Sequence, residues 1–440
     1  MHFTTTPFRR GPGSVAAALL LSSALTGGAA LAQDKPAELN IGITTYSSGP
    51  ASVFGVPARH AAEMLAEQLN ARGGIDGVPV KLTFIDEGAG LETLLAEYRR
   101  LAEDVGVDVM FASISSGICN KIAPLAEDLE VLNFMWDCGT QKILEDDDYD
   151  YVFRTQANAT PEVLAPLAYL LKTHPDFKTI AVVNQDYAWG RDSWQIFSEA
   201  LKKERPDVEV VAELFPAFGA PDFSAEVSRL QALKPDVILS TSWGGDLDTF
   251  VRQAQQRGLF EQSTFVLALA ESSLERLGDA LPDGVIVAAR GDHYFLHPER
   301  RDEPEFKQFT DDFKARTGSY PIYSVYHMAQ AFAALEAAYD KAIETTGGWP
   351  DKDQVAEAMV GLEFQGFGRP LTVREDGQSV EAQLVGTTGT DPAYPFRVIK
   401  DIEIYDGGSL MPPVGTTSLD WISEFEPGTL DLEGKAYDPS

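Results

Sequence analysis

Two thiols stand out among the groups that could do chemistry in this 440-residue chain. Cys119 and Cys138 are nineteen positions apart, in the stretch "SSGICNKIAPLAEDLEVLNFMWDCGT". Ser115, Ser116 and Gly117 precede the first, and Gly139 and Thr140 follow the second. A disulfide, a reactive thiol and a metal site are the chemistries open to such a pair. Zinc is disfavoured, because neither cysteine has a histidine nearby and there is no CxxC pair from which to build four ligands. The hydroxyls and glycines suggest a second role. Serines at the start of a helix, with its free N–H groups and about half a positive charge, make a cradle for a carboxylate; the simpler reading is that Ser115 or Ser116 only caps the helix.

Aromatic and acidic residues recur at comparable places. "TTYSSGPASVFG" offers Tyr46 and Phe54 beside Ser47 and Ser48, "NQDYAWGRDSW" offers Asp186, Tyr187 and Trp189, "STSWGGDLD" offers Trp243, and "ALAESS" offers Glu271. Trp189 and Trp243 are each followed by glycine, a pattern of rings facing a cleft, although a tryptophan in a loop often only packs. Enzyme signatures are missing: "SISSG" lacks the first glycine of GxSxG, no HExxH occurs, and the six histidines are scattered. Neither GxGxxG nor GxxxxGK[ST] is present, so nucleotide cofactors have no support, and no cofactor or metal is expected. Asp146, Asp147 and Asp148 read as a solvated acidic run.

The elements that must position these residues are short apolar runs alternating with longer amphipathic ones. "LNIGITTY", "VKLTFIDE", "VDVMFAS" and "VLNFM" alternate with "ARHAAEMLAEQLNARGG", "LETLLAEYRRLAEDVG" and "NKIAPLAEDLE", the sequence form of parallel βα units. A second series follows "YDYVFRTQANATPE": helices near 161–173, 191–204, 223–233 and 246–257 alternate with strands "TIAVVNQ", "VEVVAEL", "VILSTSW" and "TFVLALA". "GVIVAAR" adds a strand, residues 303–343 are helix-rich, "GRPLTVREDGQSV" reads as a hairpin, and no clear period continues beyond Ile404. The fold class expected is α/β, with two doubly wound parallel sheets rather than one large one.

In such sheets every strand-to-helix loop lies at the carboxyl edge, where ligands bind. "VDVMFAS" leads into Cys119 and "VLNFM" into Cys138, and one helix separates these strands, so they are neighbours and the thiols can meet. Arg9 and Arg10 followed by "SVAAALLLSSALTGGAALA" predict a secretory signal peptide over 1–32, hence an oxidising compartment. A disulfide is therefore expected, worth about 3 kcal/mol on the chain-entropy estimate. The formal charge of −32 argues against nucleic acid as a partner. No later apolar run reaches the ~18 residues of a membrane span, and the roughly 400 residues left after cleavage exceed what one core usually organises.

The quoted stretches carry a specific resemblance. "VPARHAAEMLAEQLNARGGIDGVPVKLTFIDEG", above all "NARGGIDG", with "VFRT", "IAVVNQDYAWG", "DFSAEVSRLQALKPDVI" and "FVRQAQQRG", is similar to the type I periplasmic solute-binding proteins of the leucine/isoleucine/valine-binding family. It implies two domains joined by three crossings, near residues 157, 290 and 362, with a ligand trapped between them by hinge closure and delivered to an ABC permease and ATPase complex. Domain one would comprise 37–157 and 291–361, domain two 158–290 and 362–404, with a C-terminal extension over 405–440. By this resemblance Ser116 and the loop Asp137, Cys138, Gly139 and Thr140 hold the ligand carboxylate. Trp189 and Trp243 close from the second domain, and Glu271 meets an ammonium group.

Asp137 departs from the family pattern, since a carboxylate there would repel a carboxylate ligand. An amide, cationic, polyol or aromatic solute is then as credible as an aliphatic amino acid. The expectation is a non-enzymatic, monomeric periplasmic receptor whose candidate ligand residues are Tyr46, Phe54, Ser115, Ser116, Asp137, Cys138, Gly139, Thr140, Trp189, Trp243 and Glu271. A ligand-sensing subunit of a signalling receptor and an exported hydrolase are the alternatives.

Overall fold

The computed structural model describes residues 35–437; the expected signal peptide lies outside them. Strands β1 (Leu39–Thr45), β2 (Val80–Asp86), β3 (Val109–Phe111), β4 (Asn133–Met135) and β5 (Val152–Arg154) form a parallel sheet in the order β2-β1-β3-β4-β5. The neighbouring places of β3 and β4 are those the spacing demanded. Helices α1 (Ser52–Ala71), α2 (Leu91–Arg99), α3 (Ser116–Asp128) and α4 (Lys142–Asp146) follow β1 to β4. α3 buries Ile118, Cys119, Ile122, Leu125 and Ala126, one face at helical spacing.

The second sheet carries β6 (Thr179–Val183), β7 (Glu209–Leu214), β8 (Val237–Ser240), β9 (Thr264–Leu267) and β10 (Ile286–Ala288), mutually parallel. Their helices include α5 (Ala159–Thr173), α6 (Ala188–Glu204), α7 (Ser224–Leu233), α8 (Gly244–Gln256) and the short α9 (Leu274–Leu277). Successive residues enter opposite cores: Ile180 and Val182 pack on one face of β6, Ala181 and Val183 on the other. Burial on both faces explains why these strands read as continuous apolar runs.

α10 (Pro304–Thr317) and α11 (Tyr323–Thr346) return to pack on α1, and α12 (Lys352–Met359) packs on α11. β11 (Glu363–Gln365), β12 (Pro370–Val373) and β13 (Ser379–Val380) form a small antiparallel sheet. Here the structure differs from expectation. Leu362, Phe364, Leu371 and Val373 join the first core, and Arg154 pairs with Gln378. The third crossing therefore falls at about residues 380–383 rather than 362, because the hairpin's apolar face seats on α11 before the chain leaves. Tyr294 and Phe295, just past the second crossing, stay with the second core.

β14 (Gln383–Gly389) then joins the second sheet antiparallel to β10, β15 (Val398–Tyr405) pairs antiparallel with β14, and β16 (Lys435–Ala436) pairs antiparallel with β15 at the edge. The tail that showed no period is packed. It carries α13 (Ser418–Ser423), and Leu410, Ile422, Phe425 and Leu430 are buried against the second domain.

Candidate functional site

Three connections join the domains, and one buried carboxylate touches all of them. Glu381 accepts the N–H of Ala157 at 3.0 Å, the N–H of Asp292 at 3.4 Å and the side-chain amide of Gln330 at 2.6 Å. Gly291 adopts φ +143°, and a Cβ there would meet Glu381 Oε1 at 2.4 Å, so the second crossing needs glycine at that point.

Beyond this hinge the carboxyl edges of the two sheets face each other. The first contributes Ile114, Ser116, Asp137 and Gly139, and the second contributes Tyr187, Trp189, Trp243, Leu269 and Arg290. The cavity between them is about 10 Å³, room for about one water, so a solute enters only if the walls part.

The β3–α3 loop is held by Glu87. Its carboxylate accepts from Thr44 Oγ1 at 2.8 Å, Ser113 Oγ at 2.9 Å and the Ile114 N–H at 3.0 Å. Burial still pushes Glu87 up to about 7, these hydrogen bonds acting the other way. Ser115 takes the N-cap position of α3 without a side-chain capping bond. Ser116 Oγ accepts the Thr140 N–H at 3.1 Å, which leaves its hydroxyl proton free to donate. Cys119 and Cys138 form the expected disulfide, tying this helix start to the β4 loop.

Across the cleft, Trp189 is fixed by its Nε1–H donating to the Thr241 carbonyl at 2.8 Å, and its ring covers Gly139. Trp243 donates to the Tyr187 hydroxyl at 2.6 Å and packs on Phe54 and Tyr46. Asp192 of α6 reaches over the boundary, accepting from Thr140 Oγ1 and from Lys142 Nζ, each at 2.6 Å.

Arg290 is the main residue that sequence reasoning missed. Its guanidinium lies 5.0 Å from both the Trp189 and the Tyr323 ring centroids. Its Nε donates to Glu162 at 2.9 Å, and its Nη2 donates to Glu162 at 3.2 Å and to the Asp137 carbonyl at 2.9 Å. Nη1 makes only long contacts, 3.5 Å to each Asp137 oxygen. The signal was present: a charged residue ends the apolar strand "GVIVAA" at an expected crossing. Glu162 and His327 offered none, since both are single polar residues inside helices.

Asp137 is therefore not the bare charge its position suggested. His327 Nε2 lies 2.8 Å from the Arg290 carbonyl, which can only accept, so Nε2 carries the hydrogen. Burial holds the imidazole well below its ordinary value, so His327 is neutral and Nδ1 accepts. The proton in the 2.5 Å contact between Nδ1 and Asp137 Oδ1 then belongs to the carboxyl group. Consistently, burial raises Asp137 to about 8, against the opposing pull of Arg290. Arg290 is balanced by Glu162, and the Asp137–His327 pair is neutral, so the wall does not repel a carboxylate.

Not every expected site residue lines the cavity. Ser116, Asp137, Gly139, Trp189 and Trp243 do, while Tyr46 and Phe54 lie behind Trp243. Cys138 is fully buried with its sulfur in the disulfide, and the Thr140 hydroxyl is turned to Asp192. Glu271 is outside the lining as well: its Oε2 accepts the Tyr323 N–H at 2.9 Å at the start of α11, where the free N–H groups of the helix favour a carboxylate.

Comparison with known proteins agrees with this architecture. A family profile described as periplasmic binding protein matches residues 38–389. The Leu/Ile/Val-binding protein homolog 7 of Brucella abortus (strain 2308) is 28% identical over 385 residues, covering 84% of this chain and 92% of its own. Among solved structures, a solute-binding protein of an ABC transporter from Rhodopseudomonas palustris BisB5, in complex with 3,4-dihydroxybenzoic acid, aligns with a TM-score of 0.74. It is 20% identical, covering 87% of this chain and all of that one. The leucine-binding protein LivK of Thermotoga maritima aligns with a TM-score of 0.66 at 20% identity, covering 83% of this chain and 98% of its own. Two facing doubly wound domains, a three-strand hinge and a match running from β1 to β14 make the chain a member of the periplasmic binding protein family.

Proposed function

We propose that the protein is the periplasmic substrate-binding component of an ABC importer, and that it captures a small solute between its domains without chemical conversion. One observation carries this reading. A helix N-terminus with a free hydroxyl proton, at Ser116, faces two fixed indole rings across a hinged boundary, and the space closes to about 10 Å³. Such a cleft gains affinity from contacts that exist only when closed, so solute and closure are thermodynamically coupled.

The chemistry of the walls favours a solute with an anionic or polar head and a flat or apolar body. Ser116 and the start of α3 suit the head, with Arg290 Nη1 as a further donor; Trp189, Trp243, Tyr187, Leu269 and Ile114 suit the body. Aromatic acids and amino acids both meet this description, and the relatives named above include a binder of each class. Glu271 lies outside the cavity lining and one of its oxygens already accepts the Tyr323 N–H, so among the described residues the wall offers no dedicated partner for an ammonium group, which tilts the reading towards aromatic carboxylates.

A thermal-shift panel of benzoates, aromatic amino acids and branched-chain amino acids tests the proposal. A solute at 100 times its dissociation constant should stabilise the protein by about 2.7 kcal/mol. The aromatic-acid reading fails if only amino acids shift the transition, and the receptor reading fails if a shifting compound is chemically turned over.

A further inference from the structure

The segment after residue 405 lies beyond the stretch matched by the family profile, yet it is built into the molecule at both ends. Its main apolar anchors belong to the second domain: Leu410, Ile422, Phe425 and Leu430 are buried there. The Glu204 carboxylate of α6 fastens the turn after α13 by accepting the N–H of Gly428 at 2.7 Å and of Leu430 at 2.8 Å. This anchor alone would bury the tail. The polar contacts go further, across the domain boundary.

At the first turn of α13 the fully buried Ser418 donates its N–H to Glu145 Oε2 at 2.9 Å and its hydroxyl to Glu145 Oε1. Glu145 stands on α4 of the first domain, directly after the loop that carries Asp137, Gly139 and Thr140. Ser418 Oγ also lies 2.5 Å from Thr160 Oγ1, where α5 leaves the hinge. Near its end the tail makes a second grip. Lys435 Nζ and the Tyr437 hydroxyl both meet Glu299, in the connector between the second crossing and α10. Arg369, on the hairpin of the first domain, lies 3.5 Å from the same carboxylate and donates to the Tyr437 hydroxyl at 3.4 Å.

From this geometry we infer that residues 405–437 form a strap, rooted in the second domain, that grips the first domain through Glu145 and the hinge connector through Glu299, and so biases the hinge towards closure. Opening the cleft separates Ser418 from Glu145 and returns both to water. The resistance is the difference between those buried contacts and their hydration. A hydrogen bond to a carboxylate is on a scale that alters the open-to-closed ratio about tenfold.

The test needs no solute. Spin labels at Lys121→Cys on α3 and Lys202→Cys on α6, both exposed positions on opposite domains, report the interdomain distance by pulsed electron paramagnetic resonance; the native cysteines are already bonded to each other. The protein is first unfolded and refolded to strip bound molecules. In Ser418→Ala, in Tyr437→Phe and in a chain ending at Gly434, the open population should rise, by about tenfold for Ser418→Ala. Circular dichroism confirms folding, and if the shortened chain does not fold, the two point variants decide. Distance distributions in folded Ser418→Ala and Tyr437→Phe that superimpose on the parent's would overturn the strap. That outcome would leave solute capture untouched, because the Ser116 and tryptophan walls do not include the tail.

Discussion

Replacing Gly139 with alanine adds one methyl group exactly where the two domains meet when closed. Its Cβ would lie 2.2 Å from Cζ3 and 2.6 Å from Cε3 of Trp189, and 3.0 Å from Nη2 of Arg290. The indole cannot swing aside freely, because its Nε1–H is held on the Thr241 carbonyl and the ring is 2% exposed. Gly139 is outside the positive-φ region, so alanine fits the loop itself. The clash therefore exists only in the closed arrangement. Overpacking of this kind costs about 1–3 kcal/mol, which weakens solute affinity roughly 5- to 150-fold. Calorimetric titration with the solute found in the thermal-shift panel measures the loss, and stopped-flow fluorescence of Trp189 and Trp243 assigns it to faster dissociation. The solute-free melting temperature should stay close to the parent's. Affinity within about twofold of the parent would refute the reasoning, and a large fall in solute-free stability would mean that the contact is permanent packing rather than closure.

Three further outcomes are expected. Asp192→Asn removes the charge that receives Thr140 and Lys142 across the boundary, and should speed solute dissociation about tenfold while association is unchanged, measured by stopped flow. Replacing both cysteines with serine opens a loop of 19 residues' separation and should lower unfolding free energy by about 3 kcal/mol in a urea titration, on the chain-entropy estimate. Burial raises Glu381 from its ordinary 4.5 to about 8, so between those values the folded protein holds a proton that the unfolded chain has released. Stability contributed by this group is therefore full at acid pH and is lost as pH rises to 8. Glu381→Gln should flatten the fall in melting temperature between pH 5 and pH 8.

The fold was legible because its strands are buried on both faces and its helices on one. Runs such as "TIAVV" and "VILS" against the spaced Ile118, Ile122 and Leu125 of α3 separate the two element types without any tertiary knowledge. Loops at strand exits were legible for the same reason, and this placed Ser116, Asp137, Gly139, Trp189 and Trp243 at facing edges. What one chain segment cannot reveal is pairing across the boundary. Arg290, Glu162, His327 and Asp137 come from four separate elements, so their shared charge balance exists only in three dimensions. Glu271 shows the same limit: an acid at a strand exit suggests a ligand, and no local pattern signals that its Oε2 accepts the N–H of Tyr323, 52 residues further on. The tail after Ile404 was illegible because it borrows its core from α5 and α6 and has too few turns of its own to show a period.

Native mass spectrometry of the folded protein tests most directly whether the facing walls capture a solute. The parent should carry a single small-molecule mass increment with the solute picked out by thermal shift, one per chain. The increment should vanish in Trp243→Ala, whose circular dichroism spectrum remains that of the parent. An increment that persists unchanged in folded Trp243→Ala, or one that converts to a product mass on standing, would contradict capture between these walls.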